Sequence, residues 1–251
     1  MENYFKIRYE FDYNEIHSRI DMCIKEHRSD YVCVADGVIL NIANRESNYL
    51  EVINGGMFSI CDSSYVPLYL KWIYGIKRNQ YSGSDIFKDI ISQRKYRMIF
   101  LGTSEPILNA LRENLEKMNP DIASMKFLEL PFCAVEEFNY EEIANIIHND
   151  GADIIWIALG APKQEYFMAN LKNHLKCGVM IAVGAAFKFY SGIDANRAPK
   201  WMITHHLEFV YRIFSEPKKQ IRRCLSIITS LPLLLYTEWK RKNRTYNINQ
   251  I

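Results

Sequence analysis

The amino-acid sequence predicts an α/β protein: a Rossmann-like, mainly parallel sheet with helices on both faces, plus a C-terminal helical appendage. Short apolar runs alternate with helical patterns from about residue 14 to residue 192, which is typical of parallel strands connected by helices. After residue 201 the pattern changes to helix alone. The length of 251 residues suits one large domain with an appendage, and we place these at 1–200 and 201–251.

The apolar runs and the turn residues between them predict the order of the elements. Continuous apolar runs, most of them ending at Gly or Asp, predict strands over 31–35, 57–61, 97–101, 125–130, 153–159 and 179–183. Apolar residues at helical spacing predict helices over 14–26, 39–53, 67–74, 86–92, 140–149, 162–175, 202–214 and 218–239, and a further helix that ends at Met118. No strand or helix is predicted in the short segment before residue 14, and 187–192 are predicted as a loop.

The C-terminal segment 218–244 is strongly basic, although the net charge of the whole chain is only +2. Its one acidic residue is Glu238, so the segment is expected to seek an anionic partner. The apolar stretch 225–236 is shorter than the roughly 20 residues that a membrane span requires. A helix lying in an anionic membrane surface fits better, and a solvated helix packed on the domain is the alternative.

Several polar residues follow the predicted strands. Gly160 ends one strand, Pro162 occupies the first position of the next helix, and Gln164 lies in its first turn, while Gly184 ends the following strand. Parallel strands present their carboxyl ends to one crevice, where ligands bind, and a helix N-terminus there favours a diphosphate. Asp62 ends another strand. The alternatives are structural: Asp62 as a helix cap, first-turn residues on a solvated face, and glycines that serve only the backbone.

The order of several motifs resembles that of the WecG/TagA/CpsF family of bacterial glycosyltransferases. The resemblance covers roughly residues 30–225 and depends on six stretches: GSD at 83–85, IFLG at 99–102, GAPKQE at 160–165, VGAAFKFYSG at 183–192, RAPKW at 197–201 and LEFVYRIFSEPKKQIRR at 207–223. It implies transfer of an N-acetylmannosamine-type sugar, or its uronic acid, from a UDP donor to an undecaprenyl-diphosphate-linked glycan, with inversion and without a metal or cofactor.

The resemblance also implies partners and a location. These are the UDP-sugar, the lipid-linked acceptor and an anionic membrane surface, with the protein peripheral on the cytoplasmic face of the membrane in polysaccharide biosynthesis. Six cysteines without a CxxC pair agree with reduced thiols in the cytosol. No nucleic acid is expected, and association with a second copy stays open. The alternative function is a non-catalytic nucleotide-binding or membrane-scaffolding protein of Rossmann-like fold.

By the same resemblance, Asp62 is the general base, since it lies 21 residues before GSD, and Gln164 holds the donor sugar. The remaining expected substrate-binding residues are Gly83, Ser84, Asp85, Gly160, Lys163, Glu165, Gly184, Arg197, Arg212, Arg222 and Arg223. The sequence contains no DxD motif for a metal, so arginines, backbone N–H groups and helix N-termini must meet the charge on UDP.

The chain departs from the family pattern at two places. The threonine and asparagine that usually follow the first strand are replaced by Ala35-Asp36-Gly37, and the arginine shortly before GSD is Gln80, with Arg78 two residues away. Asp36 is therefore a second candidate for the base. The identity of the donor sugar stays open.

Overall fold

The computed structural model describes residues 1–193, 202, 210–211 and 217–248. Its strands are β1 (Glu2–Tyr4), β2 (Ile7–Tyr9), β3 (Ser29–Ala35), β4 (Phe58–Cys61), β5 (Met98–Gly102), β6 (Lys126–Leu128), β7 (Ile154–Ala158) and β8 (Gly178–Ala182). Its helices are α1 (Tyr13–Lys25), α2 (Gly37–Arg45), α3 (Ser47–Gly55), α4 (Val66–Tyr74), α5 (Gly83–Gln93), α6 (Glu105–Glu116), α7 (Tyr140–Asp150), α8 (Lys163–Lys172), α9 (Ala186–Ser191) and α10 (Pro217–Ile248).

The eight strands form one sheet in the order β1-β2-β4-β3-β8-β7-β5-β6. Every neighbouring pair is parallel except β1 with β2, which is antiparallel at the edge. The central strands β3, β7 and β8 are almost wholly apolar and buried, as strands covered on both faces must be. The predicted Rossmann-like α/β class is confirmed.

Helices cover both faces of the sheet, with a hydrophobic core under each layer. Helices α2, α3, α4, α7, α8 and α10 pack on one face, and α1, α5, α6 and α9 pack on the other. Neighbouring strands β3 and β8 therefore send their following helices, α2 and α9, to opposite faces. Such a switch point opens a crevice at the carboxyl ends of the two strands.

Four sequence predictions need correction. The start of the chain contains β1 and β2, and the alternate residues Ile7 and Tyr9 of β2 are buried in the core. The single helix predicted over 39–53 is two helices, because Glu46 adopts an extended conformation between them. The loop predicted over 187–192 is largely helix α9, whose Phe187 is buried against the aromatic core. Pro162 is the N-cap of α8 rather than its first residue.

The C-terminal helix α10 packs with one side on α2 and α4. Leu234 is buried there, and the buried carboxylate of Glu238 accepts hydrogen bonds from the Tyr74 hydroxyl at 2.8 Å and from Arg241 at 2.6 Å. The opposite side exposes large apolar residues: Ile221, Leu225, Ile228, Leu233, Tyr236 and Trp239. None of the helices in the described part of the chain combines the length and apolar composition of a membrane span. The predicted helical tail is thus present from Pro217, while the helix predicted over 202–214 lies outside the described residues except for Met202, Val210 and Tyr211.

We predict that Gly102→Ala destabilises the protein far more than Gly151→Ala. Both glycines have positive φ, but a Cβ at Gly102 would lie 2.6 Å from the backbone oxygen of Ala158 on β7, whereas a Cβ at Gly151 would have no neighbour within 4 Å. The left-handed conformation alone costs about 1–2 kcal/mol, and overpacking adds about 1–3 kcal/mol. Denaturant unfolding of both variants measures the difference, and equal losses of stability would contradict it.

Candidate active site

The crevice at the carboxyl ends of β3, β4, β7 and β8 brings together several of the predicted site residues. Asp36 follows β3, Asp62 follows β4, Gly160 follows β7 and Gly184 follows β8. These positions are far apart in the sequence. The parallel order of the strands places them at one edge of the sheet.

Asp62 is fixed against the N-terminus of α5. Its Oδ1 accepts a hydrogen bond from the Gly83 amide at 2.8 Å, its amide donates to the Ala35 carbonyl at 3.1 Å, and its carbonyl accepts from the Gln80 side chain at 2.6 Å. The structure therefore brings the predicted base into direct contact with the GSD motif. Asp62 also accepts from one of the otherwise unpaired N–H groups at the start of α5. It therefore combines a capping hydrogen bond with the strand-end position expected of a base.

The GSD residues form the first turn of α5. Ser82 is the N-cap, and its hydroxyl accepts from the Asp85 amide at 3.2 Å and donates to the Asp85 carboxylate at 2.5 Å. The Ser84 carbonyl accepts from the Tyr190 hydroxyl at 3.1 Å. A Cβ at Gly83 would lie 3.0 Å from Val34 on β3, so glycine lets the helix start approach the sheet closely.

Gln164 lies in the first turn of α8 and is almost completely buried. Its Oε1 accepts from the Gly160 amide at 3.0 Å, and its Nε2 donates to Glu165 at 2.8 Å. A Cβ added to Gly184 would be 3.5 Å from Oε1, so the amide of Gln164 lies beside the exit of β8. The structure thus joins the GAPKQE and VGAAF motifs at a single side chain.

Glu165, the next residue in the sequence, has no exposed surface. Its two oxygens accept hydrogen bonds from Gln164 and from the Tyr49 hydroxyl, the latter at 3.0 Å. Burial, and to a smaller extent the charge of Asp36, raise the pKa of Glu165 to about 7, against the lowering effect of these two hydrogen bonds. Sequence reasoning missed Tyr49, because a contact across 116 residues leaves no local pattern.

Asp36, the second candidate base, is the N-cap of α2. Its Oδ1 accepts from the amides of Val38 and Ile39, both at 2.9 Å. The next residue, Gly37, faces α10, since a Cβ there would lie 3.1 Å from Ile227. Asp36 therefore has a structural role in the present geometry, close to the carboxylate of Glu165.

Two basic residues near the motifs, Lys163 and Arg78, contact other parts of the protein than the residues around Asp62. The ammonium group of Lys163 hydrogen-bonds the Cys133 carbonyl and lies 4.8 Å from the ring centre of Phe138. Arg78, near GSD, forms an ion pair with Glu2 at 2.8 Å on the edge strand β1. Lys163 is thus held by the segment before α7 rather than by the residues around Asp62.

The other expected basic site residues are the arginines at 197, 212, 222 and 223. Arg197 and Arg212 lie outside the described residues, and of Arg222 and Arg223 the structure gives the backbone position in α10. In the described part of the chain, no three His, Cys, Asp or Glu side chains are grouped as metal ligands.

The fold is that of a Rossmann-like α/β protein with a topological switch point between β3 and β8, the place where proteins of this class bind ligands. The sequence matches the Glycosyl transferase WecG/TagA/CpsF family over residues 3–245, and the chain belongs to this family. It is therefore a glycosyltransferase, which confirms the resemblance found in the motifs and decides against the non-catalytic alternative.

Similar proteins of known name cover most of the chain. A protein of Bacillus spizizenii is 26% identical over 207 residues, which are 81% of this chain and 78% of the relative. One of Bacillus subtilis (strain 168) is 24% identical over 92% of this chain and 91% of its own length, and one of Staphylococcus aureus (strain MW2) is 23% identical over 85% and 81%. All three are named N-acetylglucosaminyldiphosphoundecaprenol N-acetyl-beta-D-mannosaminyltransferase.

Proposed function

We propose that the protein transfers an N-acetylmannosamine residue from a UDP donor to N-acetylglucosaminyl-diphospho-undecaprenol, with inversion, in the synthesis of a cell-surface polysaccharide. The observation that carries the proposal is the convergence of the family's motifs on one crevice. Asp62 and Gly83 are in direct contact there, and Gln164 lies beside Gly184. The names of the relatives supply the sugar and the acceptor.

In the proposed reaction, Asp62 removes the proton from the acceptor hydroxyl while that oxygen attacks the anomeric carbon of the donor. The bond between the anomeric carbon and the diphosphate oxygen breaks, and UDP leaves with the electron pair. Attack on the face opposite to UDP inverts the configuration. The Gly83 amide orients the base, since it holds Oδ1 at 2.8 Å.

Binding of the donor is assigned to the other side of the crevice. Gln164 would meet the sugar with its amide. The negative charge of the departing diphosphate would be met by the N-termini of α5 and α8 and by the arginines at 197, 212, 222 and 223. This arrangement requires no metal ion, and Asp36 is retained as the second candidate base.

We also propose that α10 holds the protein on the cytoplasmic face of the membrane. Its outward side carries Leu233, which is 68% exposed, and Tyr236, which is 57% exposed, while the inward side is occupied by packing on α2 and α4. Basic residues flank this apolar surface along the helix. An acceptor on a polyprenyl chain stays in the bilayer, so an enzyme bound at the surface encounters it more often.

We expect the purified protein to transfer N-acetylmannosamine from its UDP derivative to a lipid-diphosphate-linked N-acetylglucosamine, and to do so in EDTA. The product is measured by chromatography, with UDP-N-acetylglucosamine and UDP-glucose as comparison donors. The absence of transfer from any UDP-N-acetylhexosamine would contradict the proposed function. A strict need for Mg²⁺ or Mn²⁺ would contradict only the metal-independent mechanism.

Asp62→Asn is expected to lower turnover by about 10²–10⁴ while UDP binding stays near that of the wild type, because a general base contributes on this scale. Asparagine keeps an oxygen that can accept from Gly83, so the start of α5 is preserved. The matched variant is Asp36→Asn, with Val38 and Ile39 retained as donors to its side-chain oxygen. If Asp36→Asn loses turnover and Asp62→Asn keeps it, Asp36 is the base.

A double substitution, Leu233→Ser with Tyr236→Ser, is expected to weaken binding to phosphatidylglycerol vesicles. Both side chains are exposed, so the packing of Leu234 and Glu238 is kept. Sedimentation with vesicles measures binding, raised salt should release the wild type, and activity on a soluble short-chain acceptor should change little. Met22→Ser, at a 51% exposed position on α1, is the control. Unchanged sedimentation of the double variant would show that α10 is only a packing element.

A further inference from the structure

Glu165 lies in the most specific motif of the chain but cannot itself reach a ligand in the crevice. Its side chain is 0% exposed, and both carboxylate oxygens are occupied by protein donors, Gln164 at 2.8 Å and Tyr49 at 3.0 Å. A buried carboxylate is costly to maintain. A role for it therefore has to pass through one of its two partners.

The partner that borders the crevice is Gln164, whose amide has two possible orientations. In the structure Nε2 faces Glu165 and Oε1 faces the Gly160 amide. The flipped amide would set oxygen against carboxylate and N–H against N–H. Glu165 and Gly160 together therefore select one orientation, and among the described residues they use one N–H and one lone pair of the amide, which leaves one of each for a ligand.

We propose that Glu165 is a positioning residue for the donor sugar: its ionised carboxylate fixes the orientation in which Gln164 meets that sugar. This inference rests on the proposed function, since it assumes that Gln164 contacts the donor. An ionised carboxylate can only accept hydrogen bonds, and so it specifies that the group opposite must donate. A protonated acid or an amide can also donate, and so specifies the orientation less strictly.

The charged and titratable groups around Glu165 set when the carboxylate is ionised. Tyr49 on α3 donates to it, Cys33 on β3 lies near it, and Asp36 at the start of α2 opposes its charge. Burial is the largest effect and raises the pKa of Glu165 to about 7. Because the ionised form is the one that orients Gln164, the KM for the donor should fall as pH rises through about 7.

The experiment measures KM for UDP-N-acetylmannosamine and kcat between about pH 6 and about pH 8.5 in wild type, Glu165→Gln and Tyr49→Phe. At high pH, Glu165→Gln should raise KM about tenfold, as expected for the loss of a hydrogen bond to a charged group, with a smaller change in kcat and no pH dependence of KM near 7. Tyr49→Phe removes a donor to the ionised form and should move the midpoint to higher pH. Tyr166→Phe is the control, since its ring packs 5.4 Å from that of Tyr49 while the carboxylate of Glu165 accepts from Tyr49 and Gln164.

Calorimetry with UDP alone and with UDP-N-acetylmannosamine separates positioning from a general loss of structure. Glu165→Gln should weaken binding of the sugar nucleotide and leave binding of UDP unchanged. Equal weakening of both ligands, or a wild-type KM profile in Glu165→Gln, would overturn the inference. If Glu165→Gln fails to fold, Tyr49→Phe and ¹³C NMR titration of the wild-type glutamates still test it, and a carboxyl that does not titrate near pH 7 counts against it. A wild type that binds the sugar nucleotide but transfers nothing refutes the proposed function instead.

Discussion

The pairing of β3 with β8 is the constraint on which the site depends. Residues of the two strands align from Ser29 opposite Gly178 to Val32 opposite Ile181, and the chain leaves the two strands toward opposite faces of the sheet. Only at such a junction do the loops diverge and leave a crevice between them. β4 and β7 flank this pair on either side. The residues that follow the four strands therefore lie at one edge of the sheet, although they are far apart in the sequence.

Two carboxylates at this edge of the sheet, Asp62 and Glu165, differ in how far they are buried. Asp62 is partly exposed and is oriented by the amide of Gly83 at the start of α5. Glu165 is buried behind Gln164, with a raised pKa, and its two oxygens accept hydrogen bonds from Gln164 and Tyr49. A base must contact the substrate, whereas a positioning group must be held still. The burial of each residue therefore agrees with the role assigned to it.

The fold class and the central strands were accessible from sequence because they depend on local signals. Continuous apolar runs revealed β3, β7 and β8. The spacing of GSD after Asp62 pointed to that residue through the family resemblance, and the contact between Asp62 and Gly83 was seen only in the structure. Long-range pairing was not accessible. The pairs Tyr49 with Glu165 and Arg78 with Glu2 join elements that no pattern connects. The break at Glu46 was missed because apolar spacing continues across it from α2 into α3.

The departure from the family pattern at Ala35-Asp36-Gly37 has a physical counterpart in the tail. Asp36 caps α2 with its own carboxylate, and a Cβ at position 37 would lie only 3.1 Å from Ile227, so the short side chain there suits the close approach of α10. The same helix is fastened farther along by Glu238 to Tyr74 on α4. Gly37 is the first residue of α2 and directly follows Asp36 at the end of β3, so the helix proposed to bind the membrane also packs beside the exit of β3. The proposed membrane-binding helix and the proposed site therefore share one packed interface.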